Sequence, residues 1–152
     1  MIVFDGRVFA QKKEELLKPK ISDHTKKLGR KPKLLAAGIG SEKDIEMYLR
    51  MKQEVADRLG VDFEKLVFST DSDINDICKK IAELNSDSRT DGLLLELPLP
   101  KKFDDTKIME QVSPKKDPDC ITYENLGRLL YGKPRILPAT VRAIKDILFD
   151  VI

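Results

Sequence analysis

The sequence is poor in the residues that several specialised protein classes require. Its 152 residues include two cysteines, one histidine and no tryptophan, and the formal net charge is only +2. Cys78 and Cys120 lie far apart without metal-ligand spacing, so they make no disulfide framework, and a reducing cytosol is the expected compartment. His24 alone offers neither a His-rich metal site nor a convincing Cys/His dyad. The charge balance argues against a dedicated nucleic-acid-binding protein.

Long apolar runs are also missing. No stretch is long enough to span a membrane, and charged residues interrupt the N-terminus where a signal peptide would need an apolar core. The length suits one domain that buries a real core. We therefore expect a single soluble, cytoplasmic domain.

Basic residues are concentrated in the first 33 positions. Such a run is typical of solvated helix faces, and the alternative is a landing site for an anionic ligand tail. The run comprises Lys12, Lys13, Lys18, Lys20, Lys26, Lys27, Arg30, Lys31 and Lys33.

The apolar pattern predicts alternating helices and strands. A first helix is expected over 6–17, ended or kinked by Pro19, with a second helical piece over 22–28. Ser41 is the expected N-cap of the next helix, which Gly60 should end. Three strands are predicted, over 33–39, 66–68 and 93–95. After the first two helical pieces, the predicted helices cover 41–59, 73–84, 105–112, 123–130 and 140–152.

The order strand, helix, strand, helix, strand predicts a fold class. It favours parallel strands joined by crossover helices, and the continuously apolar strands indicate that both sheet faces are covered. We expect an α/β fold with three layers and a mostly parallel sheet, as a single domain.

The helix expected over 41–59 carries an aromatic–amine pair. Its apolar stripe is Ile45, Tyr48, Leu49, Val55 and Leu59, and Lys52 falls within it, four residues after Tyr48. A lysine facing a core is costly unless it is paired or extends to solvent. The alternative is a partly desolvated amine suited to acid–base chemistry, beside a flat aromatic surface.

Three loops complete the candidate sites. The segment Glu96-Leu97-Pro98-Leu99-Pro100 follows a strand at the edge where α/β proteins bind ligands, although it could be a turn that only packs. Lys116-Asp117-Pro118-Asp119 has too few ligands for a metal and is expected to place one carboxylate in a pocket. Gly38-Ile39-Gly40 is similar to a dinucleotide fingerprint, but Lys43 occupies the third glycine position, which favours a tight turn.

Taken in order, these segments resemble the N-terminal catalytic domain of the methylenetetrahydrofolate dehydrogenase/cyclohydrolase (FolD) family. The resemblance begins at Asp5-Gly6-Arg7-Val8-Phe9-Ala10 and is most specific at Asp91 to Pro100, which reads DGLLLELPLP. It includes the Tyr48–Lys52 spacing and extends through PKKDPD at 114–119, NLGRL at 125–129 and PAT at 138–140.

The resemblance implies an enzyme of one-carbon folate metabolism. It implies dehydrogenation of 5,10-methylenetetrahydrofolate with NADP or NAD, followed by hydrolysis of the methenyl product to 10-formyltetrahydrofolate. By carry-over, Lys52, Tyr48 and Glu96 are the catalytic group, with Lys52 the acid–base residue and Tyr48 stacking on the folate. Asp119 would hydrogen-bond the pterin, and Pro98 and Leu99 would shape the pocket. A metal is not expected, and a homodimer is left open.

This chain departs from the family pattern at five positions. The family usually has serine, glutamine and glycine where this chain has Ile45, Glu96 and Cys120, and its Pro-Cys-Thr-Pro appears here as Pro138-Ala139-Thr140-Val141. An ionised Glu96 near Lys52 would favour the ammonium and oppose general-base action. We therefore expect weakened cyclohydrolase activity with surviving folate binding.

The expected organisation is a folate-binding catalytic domain over 1–140 and, over 141–152, the start of a helix leading to a C-terminal Rossmann domain that these residues do not supply. Three function classes follow. The first is the enzyme domain, and the second is a non-catalytic folate-binding or interaction module derived from it. The third, a nucleotide-binding protein using Gly38–Gly40, would be indifferent to folate.

Overall fold

Six helices and three strands make up the part of the chain that the computed structural model describes, which is residues 4–40 and 42–151, without the side chains of 42–44, 150 and 151. Ser41, the expected cap, lies outside it. The strands are β1 (Lys33–Ile39), β2 (Asp62–Phe68) and β3 (Gly92–Leu95). The helices are α1 (Gly6–Leu28), α2 (Glu42–Leu59), α3 (Ile74–Ser86), α4 (Asp105–Met109), α5 (Tyr123–Leu130) and α6 (Ala139–Val151).

The strands form one parallel sheet, as the sequence predicts, and their order in it is β2-β1-β3. In its register, Ala36 of β1 lies between Lys65 of β2 and Leu94 of β3. The pairing continues past β3, because the Glu96 backbone N–H donates to the Ala37 carbonyl at 2.8 Å. Parallel strands bring their carboxyl ends to one edge, so Glu96 lies at the edge where the helices after the strands begin.

Helices cover both faces of the sheet, which confirms the three-layer prediction. Alternate residues of a strand point to opposite faces. On one face, Leu35 and Ala37 share a buried cluster with Ile77 and Ile81 of α3. On the other face, Ala36 packs with Leu49 of α2. Each Leu or Ile buried in this way contributes about 1.5–3 kcal/mol relative to an exposed side chain.

Helix α1 does not end at Pro19, and the prediction of two separate helical pieces is wrong. The helix is continuous over Gly6–Leu28, with Asp5 as its N-cap and left-handed Gly29 at its C-terminus. Proline removes one intrahelical hydrogen bond, at the carbonyl of Glu15. Because Glu15 is exposed, solvent can satisfy that carbonyl, and the helix runs on. None of the α1 residues that the structure describes is buried.

The boundaries of two other elements also differ from expectation. β2 begins at Asp62 instead of residue 66, and its first half is largely exposed, so it lacks the apolar run that marks a buried strand. Helix α4 ends at Met109, after which Val112 turns into the core. No described helix is long and apolar enough to cross a membrane.

An arginine–aspartate clamp ties the end of α1 to the start of β3. The Arg30 guanidinium donates to both Asp91 oxygens, at 2.7 and 2.9 Å, and the Lys33 backbone N–H donates to the same carboxylate at 2.7 Å. The hydrogen bonds from Arg30 hold the pKa of the Asp91 carboxyl below its ordinary value, against partial burial. The clamp fixes the entry of the strand that leads to Glu96.

A second carboxylate organises the loop after α4. Asp117 is buried and accepts from the Ile121 and Thr122 backbone N–H groups, at 3.1 and 2.9 Å, and from the Asn125 amide at 2.9 Å. Burial acts to raise the pKa of Asp117, but these hydrogen bonds outweigh it and the pKa is lowered. The loop is fixed to β3 because the Leu93 N–H donates to the carbonyl of Lys116 at 2.7 Å.

We predict that Asp91→Asn lowers the free energy of unfolding by about 1–3 kcal/mol at pH 7, because charge-assisted bonds from Arg30 are lost. Because the pKa of Asp91 is lower in the folded state than in the unfolded state, its ionised form stabilises the fold above the ordinary carboxyl pKa. That contribution is lost as the pH falls from the ordinary pKa through the lowered one. The difference from wild type in urea unfolding should therefore shrink below about pH 4. Asp71→Asn, at a 95% exposed side chain, is the control; an equal loss there would contradict the clamp.

We predict that Asp117→Asn destabilises the chain by about 1–3 kcal/mol, because the new amide N–H groups face donors instead of acceptors. Asp119→Asn, two residues away, is the matched comparison. Burial raises the pKa of the Asp119 carboxyl, so its charge opposes folding and its replacement should not destabilise. Chemical unfolding at neutral pH measures both variants, and equal losses would refute the distinction.

Candidate functional site

The aromatic–amine pair lies on α2 at the rim of the sheet. Helix α2 follows β1, and Glu96 follows β3, so the parallel arrangement brings these parts of the chain to the same edge. Tyr48 and Lys52 are one helical turn apart, which places both side chains on one side of α2. The structure therefore brings together the two segments that the sequence singled out.

Lys52 and Glu96 form an ion pair. The Lys52 ammonium donates to Glu96 Oε1 at 2.5 Å, with the Glu96 side chain 12% exposed and the Lys52 side chain 36% exposed. The structure shows that the Lys52 amine is paired, while its side chain is still about a third exposed to solvent. Solvent therefore screens the pair from the Lys52 side, and Glu96 is the more shielded partner.

Asp119 is the third charged group at this place. It lies in the loop between α4 and α5 and is half-buried. Burial raises the pKa of its carboxyl, the Lys52 ammonium opposes that rise, and the Glu96 and Asp117 carboxylates add to it. These effects show that Asp119 lies within electrostatic range of the Lys52–Glu96 pair. The site thus holds one ammonium and two carboxyl groups.

The next residue, Cys120, has an unusual backbone. It is buried and has φ +59°, in the left-handed region that glycine adopts without strain. This is the position at which the resemblance implies glycine. No local sequence pattern indicates this conformation, since cysteine is not a usual left-handed residue. Burial also raises the pKa of the Cys120 thiol, so it is no ready nucleophile.

Gly38 provides the close packing next to the ion pair. A Cβ built on Gly38 would lie 2.5 Å from Ile45 Cδ1 and 3.7 Å from Glu96 Cβ. The side chain of Ile45 and the aliphatic part of Glu96 therefore both lie over this glycine. Sequence reasoning missed the contact, although a lone glycine inside an apolar strand signals a close approach.

The segment Gly38-Ile39-Gly40 leads from β1 towards α2. Gly38 and Ile39 end β1, Gly40 has φ +138°, and α2 begins at Glu42. This short connection agrees with the tight-turn interpretation, and Ile45 packs closely over Gly38. We assign no step of hydride transfer to these residues.

Tyr48 lies at the rim rather than in the apolar stripe. Its side chain is 58% exposed, while Leu49 and Ala56 form the buried face of α2. Beside Tyr48 and Lys52, an apolar groove of about 490 Å³ runs between α2 and the sheet. The groove is lined by Leu34, Met51, Val55, Ala56, Leu59, Val61, Phe63 and Leu94 as well as by the pair.

The Leu-Pro-Leu-Pro loop divides its residues between surface and core. Pro98, which follows a cis peptide bond, is exposed, whereas Leu99 is buried with Phe103 and Ile108. Leu99 therefore anchors the loop from beneath. Roles for Pro98 and Leu99 in shaping a ligand pocket stay predictions.

Several of the early basic residues form ion pairs with acidic side chains. Within the described residues, ion pairs join Lys13 to Asp146, Lys26 to Asp23, Lys31 to Asp62, Lys33 to Glu64 and Arg30 to Asp91. These contacts favour the solvated-face interpretation of the run. A landing site for an anionic tail stays a prediction.

Comparison with known proteins agrees with this arrangement. The family described as "Tetrahydrofolate dehydrogenase/cyclohydrolase, catalytic domain" matches residues 4–119. The "Bifunctional protein FolD" of Clostridium beijerinckii is 34% identical over 99% of this chain and 55% of its own length. That of Mesoplasma florum is 37% identical over 97% of this chain and 52% of its own length.

A solved structure gives the same result. The Trypanosoma brucei methylenetetrahydrofolate dehydrogenase-cyclohydrolase, complexed with NADP cofactor and inhibitor, has a TM-score of 0.89 and 26% identity, covering 97% of this chain and 50% of its own. The chain thus spans about half the length of these relatives. From the match over residues 4–119 and the shared fold, the chain belongs to the tetrahydrofolate dehydrogenase/cyclohydrolase family and corresponds to its catalytic domain.

Proposed function

We propose that this chain binds one-carbon derivatives of tetrahydrofolate as the catalytic domain of a 5,10-methylenetetrahydrofolate dehydrogenase/5,10-methenyltetrahydrofolate cyclohydrolase. The observation that carries the proposal is the meeting of Lys52, Glu96 and Asp119 beside the exposed ring of Tyr48. It gives a flat aromatic surface next to an amine and two carboxyl groups, at the sheet edge where α/β proteins bind ligands.

Each side chain has a role that its environment supports. The exposed Tyr48 ring offers a face on which the folate ring system can stack. The half-buried Asp119 carboxyl can hydrogen-bond the amino and ring N–H groups of a pterin. Lys52 would then lie near the reacting carbon, within one helical turn of the stacking surface, and would act as the acid–base residue.

The nicotinamide cofactor belongs to the longer relatives. The Trypanosoma brucei enzyme was solved with NADP, and we propose NADP or NAD for the dehydrogenase of the protein to which this domain corresponds. For the described residues we propose folate-binding groups. A cytoplasmic location and a homodimer are part of the same proposal.

A non-catalytic folate-binding module is the second candidate, and the Lys52–Glu96 pair is the observation that favours it. The Lys52 amine is engaged by the Glu96 carboxylate at 2.5 Å, so this contact competes with any contact of the amine to a reacting water or ligand. Ile45 replaces a hydroxyl that the resemblance implies near this amine. The module would bind folates through the same surface without turning them over.

We predict that Tyr48→Ala weakens binding of 5-formyltetrahydrofolate by about tenfold, the loss of one aromatic stacking contact. Tyr48→Phe keeps the ring and should bind nearly as wild type. Tyr131→Ala removes another exposed tyrosine, at the end of α5, and serves as control. Calorimetric titration measures all four proteins, and unchanged affinity in Tyr48→Ala would place folate elsewhere.

We predict that Glu96→Gln raises the rate of 5,10-methenyltetrahydrofolate hydrolysis by at least about tenfold, since general-base catalysis typically contributes about 10²–10⁴-fold. The amide can still accept a hydrogen bond from Lys52, but it removes the ion pair and so frees the amine to contact the ligand and water. Loss of methenyl absorbance follows the reaction, and Lys52→Ala should abolish the enzymatic rate. Folate binding without turnover in both wild type and Glu96→Gln would instead support the module.

A further inference from the structure

One-carbon folates differ in charge at the carbon that reacts. In 5,10-methenyltetrahydrofolate, a positive charge is shared between N5, the bridging carbon and N10. The methylene and formyl forms carry no such charge, although all have the same glutamate tail. A site can therefore distinguish them by the electrostatic field around that carbon, independently of ring shape or tail.

The charges of this site suit a cation. The Lys52 ammonium is compensated by Glu96 at 2.5 Å, and Asp119 lies within electrostatic range of both groups. With a neutral residue at position 96, the ammonium would lack this partner and would repel a second positive charge. With Glu96, the repulsion is offset at the place where the reacting carbon would lie.

The surroundings strengthen this effect. Only 12% of the Glu96 side chain is exposed, and its aliphatic part lies over Gly38 beside Ile45. On the other side, Leu94 and Met51 belong to an apolar groove that borders Lys52. Few polar groups thus compete with the pair on the Glu96 side, whereas the exposed part of Lys52 leaves it open to screening by salt.

We propose that Glu96 makes this site selective for the cationic methenyl form of tetrahydrofolate over its neutral one-carbon forms. The inference rests on the proposed folate site and names the ligand state that the site prefers. A full charge about 6 Å from the ligand cation changes affinity by between roughly 3-fold and 100-fold, depending on the effective dielectric constant.

The selectivity also bears on hydrolysis. Water adds its oxygen to the bridging carbon, and the bond from that carbon to N5 breaks. Of the two protons of the water, N5 takes one and the other is released. The product, 10-formyltetrahydrofolate, is neutral at the former bridge. A site that stabilises the bound cation lowers the energy of the starting state, so Glu96 slows hydrolysis by holding the substrate as well as by pairing Lys52.

The test compares two ligands across matched variants. Affinities for 5,10-methenyltetrahydrofolate and for 5-formyltetrahydrofolate are measured, immediately after mixing, by quenching of intrinsic tyrosine fluorescence. Their ratio cancels effects of the tail and of general stability. Glu96→Gln should reduce the preference for the cation by roughly tenfold, while Glu96→Asp, which keeps the charge, should retain most of it.

A control and a salt series complete the experiment. Glu64→Gln makes the same change on β2, where Glu64 pairs with Lys33, and should leave the ratio unchanged. Added salt should reduce the wild-type preference, because it shortens the electrostatic screening length below its physiological value of about 8 Å. Equal ratios in wild type and Glu96→Gln would overturn the selectivity while leaving the folate site intact, whereas failure of wild type to bind either ligand would overturn the proposed function itself.

Discussion

The hydrogen bond from the Glu96 backbone N–H to the Ala37 carbonyl determines where the site can form. It continues the pairing of β1 and β3 one residue beyond the strand, so Glu96 leaves the sheet in a fixed direction. Helix α2 begins shortly after β1 ends, and its Lys52 meets Glu96 at the same edge. Without parallel register, these two residues, 44 positions apart, would have no reason to meet.

Around this contact, the chain uses carboxylates in two different ways. Asp91 and Asp117 accept several hydrogen bonds, have lowered pKa values and hold strand and loop in place. Asp119 is half-buried with a raised pKa, which is unfavourable for folding and typical of groups at functional sites. The scaffold carboxylates thus fix the backbone that positions Asp119, a carboxyl group whose pKa is raised by burial.

The sequence predicted the sheet and most helices because their apolar runs are continuous and their ends carry glycine or aspartate. The predictions were wrong for two exposed segments. Pro19 is tolerated inside α1 because solvent reaches the carbonyl that loses its hydrogen bond. The first half of β2 is polar and exposed, so it lacks the apolar pattern that predicts a strand. For the site, helical spacing paired Tyr48 with Lys52. The contact of Ile45 with Gly38 depends on side-chain packing between elements, which no local pattern specifies.

We propose that folate binds at the Lys52–Glu96 pair beside Tyr48. The most direct test is NMR of ¹⁵N-labelled lysine ammonium groups and of the tyrosine rings during titration with 5-formyltetrahydrofolate. We expect saturable shifts of the Lys52 Nζ and Tyr48 ring signals, with little change at Lys33, whose partner is Glu64. Saturable binding that leaves Lys52 and Tyr48 unperturbed would contradict the account.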